Sequence, residues 1–235
     1  MKIQKQKLRI HTIPALLWGA PSEKLYLYIH GQGGNKEEAF LIAKAVCPCG
    51  YQVLSIDLPE HGERTRETGT FLPWLIVPEL TCVMTFARKL WKHISLFAVS
   101  IGAWFSMLSF NREPLQRCLL VSPVLDMRQL LLKMMEQAHI SLAQLEQEQV
   151  MTISSGQTLS WIYWQYVQTH PVKHWNIPTK ILYGEYDTLI EFSSVTHFAE
   201  KFHCDLTVLA KGEHWFHSQE QLKFLSCWLK QKFQE

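Results

Sequence analysis

Short, almost unbroken apolar runs alternate along this chain with stretches of helical periodicity. The runs are Lys24 to His30, Tyr51 to Leu58, His93 to Val99, Cys118 to Val121, Lys180 to Tyr183 and Leu206 to Leu209. A strand that is apolar on both faces must be covered on both faces. The runs therefore predict a mainly parallel sheet inside a layered domain. Asn35, with Glu38 three residues on, reads as a capping box that opens a helix towards Val46. Further helical patterns cover Glu79 to Trp91, with Pro78 at the first helical position, then Ile101 to Phe110 and Glu191 to Phe202. Leu222, Leu225, Trp228, Leu229 and Phe233 mark the apolar stripe of a terminal helix, with Ser218 and Gln221 at its start. Strands alternating with helices give an α/β domain with helices on both sheet faces. Two apolar segments in the first 20 residues are expected to pair as an antiparallel hairpin on one edge.

One stretch breaks the alternation. Apolar residues at 127, 131, 134, 138, 142 and 145 predict a long amphipathic helix over Met127 to Val150. Ser154, Ser155 and Gly156 interrupt it, and the aromatic-rich segment Leu159 to Val167 follows with no strand between. The pair reads as an insertion at about 127–170 forming a helical cap over the strand ends; two ordinary crossover helices are the alternative. The 235 residues otherwise fit a single domain, 1–235.

Composition excludes several functional classes. Apolar residues make up 47%, too many for a disordered chain. With 23 basic and 21 acidic residues the net charge is +2, which gives no basic excess for nucleic acid. Cys47 and Cys49 have neither zinc nor thioredoxin spacing, and a chain of this size needs no disulfide staples. The six cysteines therefore read as reduced thiols of a cytoplasmic protein. Lys2, Lys5, Lys7 and Arg9 before the apolar run Ile13 to Ala20 imitate a signal peptide, but Pro14, Trp18 and Pro21 disqualify it. Pro73, Pro78 and Glu79 break the richest apolar stretch, Phe71 to Phe86, so no membrane span is expected. No metal is expected either: Pro171 separates His170 from His174, and no Cys or carboxylate completes a set.

The chemistry-bearing residues gather just beyond the predicted strands. Ala98-Val99-Ser100-Ile101-Gly102 joins a strand to a helix, where small residues two places either side of a serine let the backbone double back. His30-Gly31-Gln32-Gly33-Gly34 follows the first long strand. It fails both nucleotide motifs, having no Gly-Lys-Ser or Gly-Lys-Thr and having Lys36 where a third glycine belongs. Its exposed amides instead suit an oxyanion, the Gln32 amide pairing with that of Ile101. Asp187 ends the strand through Tyr183, and His214 follows the last strand. A serine hydroxyl needs a base, and a histidine needs a carboxylate to fix its tautomer. Ser100, Asp187 and His214 stand in the chain order Ser, Asp, His. Asp126, soon after the preceding strand, is the alternative acid; His217, His61 and Arg64 read as rim or structural residues. Trp161, Trp164 and Trp215 are candidate substrate contacts, the first two also readable as cap packing.

These motifs, together with Asp57-Leu58-Pro59-Glu60-His61-Gly62, Gly184-Glu185-Tyr186-Asp187 and Gly212-Glu213-His214, resemble those of the α/β-hydrolase superfamily. The resemblance runs over about Leu25 to Phe233. It implies a sheet of about eight strands with a cap inserted after the strand ending near Val121. It also implies Ser100 as nucleophile, His214 as base, Asp187 as acid and the Gln32 and Ile101 amides as oxyanion donors. The expected activity is hydrolysis of a small, hydrophobic acyl ester or thioester without a cofactor. A ligand-binding or signalling protein on the same fold is the alternative.

Overall fold

Successive residues of the central strands face opposite helical layers, and this sorts the core into two halves. The computed structural model describes residues 3–154 and 156–232. Its main sheet has eight strands, β1 (Lys5–Ile10), β2 (Ile13–Trp18), β3 (Lys24–Ile29), β4 (Gln52–Ile56), β5 (His93–Val99), β6 (Cys118–Val121), β9 (Thr179–Gly184) and β10 (Asp205–Leu209). Strands β7 (Val150–Thr152) and β8 (Thr158–Ser160) form a separate antiparallel hairpin. The spatial order is β1-β2-β4-β3-β5-β6-β9-β10, with β1–β2 and β2–β4 antiparallel and every other pair parallel. The expected edge hairpin is thus present, in register from Lys5 opposite Trp18 to Ile10 opposite Ile13.

On one face, Leu25, Leu27 and Ile29 of β3 and Leu96 and Ala98 of β5 pack beneath α2 (Pro73–Leu90), α3 (Ile101–Phe110) and α7 (Phe192–Phe202). On the other, Tyr26 and Tyr28 of β3 and Phe97 of β5 pack beneath α1 (Phe40–Val46) and α8 (Gln219–Lys232). Leu25, Leu27 and Leu96 are fully covered, each worth about 1.5–3 kcal/mol of transfer free energy. The helices run between parallel strands as crossovers, so the carboxyl ends of β3, β5, β6, β9 and β10 lie along one rim. Open parallel sheets carry their ligands there.

One local reading changes. Helix α2 starts at Pro73 rather than near Glu79, so Pro73 takes the first helical position and Pro78 lies inside the helix. Proline costs little at the first position because that N–H has no helical partner. Asn35 caps as expected, accepting the Glu37 N–H at 3.0 Å, and the Glu38 carboxylate faces the Asn35 backbone N–H while also accepting the Tyr28 hydroxyl at 3.2 Å. The stripe residue Phe233 lies outside the described residues.

The segment between β6 and β9 differs most from expectation. The single helix over 127–150 is two, α4 (Met127–Gln137) and α5 (Leu142–Glu148). The chain turns between them through His139 at φ 55°, and Ser141 with Gln144 forms a capping box that restarts the helix. A hairpin of β7 (Val150–Thr152) and β8 (Thr158–Ser160) then precedes α6 (Trp161–Thr169). Strands therefore do separate the two helical stretches, and Leu159 lies in β8 rather than in the helix. Ser154 and Gly156 lie between the two strands, the Gly156 N–H donating to Ile153 O at 2.8 Å; Ser155 lies outside the described residues. Met135, Leu145, Leu159 and Trp164 make a small core of their own in this segment. Tyr163 and Tyr166 of α6 rest on Trp74 of α2, and Tyr163 also stacks on Trp104 of α3. No helix among the described residues is long and apolar enough to cross a membrane.

Candidate active site

Strand β5 ends at Val99 and α3 begins at Ile101, which leaves one residue, Ser100, to reverse the chain. It does so at φ 49°, ψ −124°, a region costly for a residue with a Cβ, about 1–3 kcal/mol. Neighbouring backbone holds it there. The Ser100 N–H donates to Val121 O at 3.1 Å, and its carbonyl accepts from Ala103 at 3.0 Å and Val124 at 3.1 Å. Gly102 lets α3 press against β3: a Cβ there would stand 2.3 Å from the His30 carbonyl oxygen.

The side chains brought together at this turn form one hydrogen-bonded chain. Ser100 Oγ lies 2.9 Å from His214 Nε2, and His214 Nδ1 lies 2.6 Å from Asp187 Oδ2. A carboxylate oxygen only accepts, so Nδ1 carries the proton and Nε2 is free to accept the serine hydroxyl. Asp187 is itself fixed, its side chain fully covered and its Oδ1 accepting the N–H groups of Leu189 at 2.9 Å and Ile190 at 2.8 Å. Asp126 is elsewhere: it caps α4, accepting the Gln129 N–H at 3.0 Å. His217 does not join the chain; its Nδ1 donates to Trp215 O at 2.9 Å and faces Glu213.

Two turns carry Asp187 and His214, and they interlock. Tyr186 N–H donates to Gly212 O at 2.7 Å, Glu185 N–H to Leu209 O at 3.0 Å, and Lys211 N–H to the Glu185 carboxylate at 2.8 Å. Gly184 is the point of closest approach, since a Cβ on it would meet the carbonyl oxygens of Gly212 and Glu213 at 2.5 Å. Gly184→Ala is therefore expected to push His214 away from Asp187 and lower kcat about a hundredfold, the scale of a 1 Å misplacement. Kinetics beside a near-UV circular dichroism spectrum would check it; unchanged kcat contradicts it.

The glycine turn after β3 is set by two histidines. Buried His30 donates from Nδ1 to Gly31 O at 2.7 Å and accepts the Leu58 N–H at Nε2, 3.0 Å away. His61 accepts the Gly33 N–H at Nε2, 2.9 Å away, and donates from Nδ1 to Pro59 O at 2.7 Å. The adjacent Lys36 is buried against Asp57, Nζ to Oδ2 at 2.5 Å. Among the described residues no protein acceptor takes the N–H of Gln32 or Ile101. Arg64 is tied to Glu67, Glu79 and the Asp57 carbonyl, and so braces the loop after β4.

Burial drives the His30 pKa down to about 4. An unfolded chain binds that proton below about pH 6.5, whereas the folded chain excludes it until about pH 4. The stability His30 contributes is thus complete above pH 6.5 and falls on acidification, by on the order of 3 kcal/mol at pH 4. An NMR titration of this ring is expected to show a midpoint near 4; a midpoint near 6.5 contradicts it.

A cavity of about 460 Å³ opens at Ser100 and His214, with Gln32 and Trp215 also on its wall. Trp215 is exposed. Trp164 is buried in the small core of the 127–169 segment and Trp161 packs beside it, so neither lines this cavity. Both indoles follow the apolar side of α6 inward, which a count of aromatics cannot reveal.

No protein-family model matches the chain, and no curated protein does. Solved structures match it over nearly its whole length. Est1E from Butyrivibrio proteoclasticus, bound to ferulic acid, superposes with a TM-score of 0.78 at 18% identity, covering 97% of this chain and 98% of that one. Alpha/beta hydrolase domain-containing protein 10 from mouse gives 0.74 at 13% identity over 100% and 99%. A thioesterase domain from the curacin biosynthetic pathway gives 0.64 at 15% identity over 97% and 99%. Likeness at such identities speaks to architecture, and it agrees with the strand order and helical layers above: this chain has the α/β-hydrolase fold.

Proposed function

We propose that this chain is a serine hydrolase that cleaves a small, hydrophobic carboxylic ester or thioester through an acyl-enzyme on Ser100. The observation that carries the reading is the chain of short hydrogen bonds from Ser100 through His214 to Asp187. In this mechanism His214 Nε2 takes the Ser100 proton as Oγ attacks the carbonyl carbon. Asp187 holds the ring and stabilises the imidazolium. The N–H groups of Gln32 and Ile101 receive the developing oxyanion, each worth about 2.7–4 kcal/mol if aimed at it. His214 then gives its proton to the leaving alcohol or thiol, and the acyl group remains on Oγ. Water, deprotonated by the same nitrogen, attacks the acyl carbon; the acyl–Oγ bond breaks, His214 returns the proton to Ser100 Oγ, and the acid is released. Every proton moves through one imidazole, so the cycle uses no cofactor.

The wider match supports the same reading. Ferulic acid, bound by the Est1E neighbour, is a carboxylic acid of the kind this reaction releases, and another neighbour is a thioesterase domain. We read residues 1–235 as one domain, with about 127–170 as a cap. The unpaired cysteines fit a cytoplasmic setting, and the cavity at Ser100 a small-molecule partner. The test is rapid mixing with p-nitrophenyl acetate. A burst of nitrophenol near one per chain, followed by steady turnover, supports the acyl-enzyme. Absence of any release above the buffer rate overturns it.

A further inference from the structure

The cavity at Ser100 does not extend beneath the 127–169 segment, none of whose described residues lines it. It descends on the opposite side of the sheet, between the strands and the α1–α8 pair. Tyr28, Phe97 and Val121 form its sheet wall, Leu41 its α1 wall, and Leu222 and Leu225 its α8 wall. Val99 and Phe97 are alternate residues of β5, so the space reaches about 7 Å down the strand from the serine turn. Its outer edge gathers Phe40, Trp215 and Leu222, three large apolar side chains left 43%, 63% and 37% exposed. An exposed apolar cluster continuous with a cavity is the mark of a binding surface.

We propose that this cavity is the acyl-chain site. The natural substrate would be an ester or thioester of an uncharged, apolar acyl chain, held between α1 and α8 while the leaving group faces solvent on the other side. The proposal rests on the serine-hydrolase reading above. The acyl group stays bonded to Oγ through both half-reactions, so it belongs in the enclosed space contiguous with Oγ. The leaving group must depart after the first half-reaction and needs an open path. The walls are mostly hydrocarbon; the polar side chains on them, beyond Ser100 and His214, are the Tyr28–Glu38 pair, with the Tyr28 hydroxyl donating to Glu38, together with Glu37, Lys44 and, at the mouth, Gln32. Two carboxylates, Glu37 and Glu38, against the single ammonium of Lys44 disfavour acyl chains that carry their own negative charge.

The experiment uses two series of p-nitrophenyl and alkyl esters on the purified chain. In one the acyl group lengthens from acetate to decanoate; in the other butyrate is kept and the alcohol lengthens. Each methylene buried in the transition state is expected to raise kcat/KM about fourfold in the acyl series, until the cavity is full. The alcohol series is expected to stay nearly flat. Leu222→Trp is expected to lower the hexanoate-to-acetate ratio about tenfold. Ile162→Glu, on the exposed side of α6, is expected to leave that ratio alone. Three results would overturn the acyl site while leaving the hydrolase reading intact: a flat acyl series with acetate still turned over, a climb confined to the alcohol series, or a ratio that moves with Ile162→Glu and not with Leu222→Trp. Failure to hydrolyse any ester overturns both.

Discussion

Ester hydrolysis by Ser100→Ala is expected to fall by about 10⁴–10⁶-fold in kcat, with the folded state essentially unchanged. The variant removes the proposed nucleophile, while Ala98, Gly102 and the backbone bonds to Val121 and Val124 keep the turn in place. His214→Ala is expected to cost a similar factor, because the serine is a poor nucleophile without a base 2.9 Å away. The double variant should be little worse than either single one, since the two side chains act as a unit. Steady-state kinetics with a thermal melt for each variant checks this. Hydrolysis surviving Ser100→Ala within tenfold contradicts the mechanism.

Lys36→Met is expected to have the largest effect on stability, a loss of about 3–5 kcal/mol. The Asp57 carboxylate is fully covered and accepts three hydrogen bonds, from Lys36 Nζ at 2.5 Å and from the N–H groups of Lys36 and Glu63, each at 2.9 Å. Removing the ammonium leaves a buried anion that water cannot reach. For a domain of this size the loss corresponds to a Tm lower by on the order of 10 °C. Lys36→Met with Asp57→Asn should recover part of it, because the amide oxygen keeps an acceptor for a backbone N–H and the charge is gone. The pair also joins the end of β4 to the end of the turn that carries Gln32, so the single variant is expected to lose activity before it unfolds. Urea unfolding of both variants decides it; a loss below about 1 kcal/mol in Lys36→Met contradicts the assignment.

The sheet and the three aligned side chains were legible for a local reason. Each lies within a few residues of an apolar run, and Gly102 and Gly184 mark places where backbone approaches backbone. Position relative to a strand end is information that a short window contains. The 127–169 segment was less legible because its helical period continues from α4 into α5 without a break in phase. The Ser141–Gln144 capping box that interrupts it is a short polar signal inside an apolar pattern. Trp161 and Trp164 could not be placed because the partners that bury Trp164, Met135 and Leu145, come from two other helices. Lys36 and Asp57 are 21 residues apart and share no periodicity, so their pairing exists only once β3 and β4 lie side by side. The direction of the cavity was equally hidden: it depends on how α1 and α8 seat against Tyr28 and Phe97.

The most direct measurement is mass spectrometry of the folded chain after reaction with a fluorophosphonate, with the labelled peptide sequenced. One adduct per chain is expected, on Ser100, and none in His214→Ala over the same time. An adduct on any other residue, or no adduct on folded protein, would contradict it.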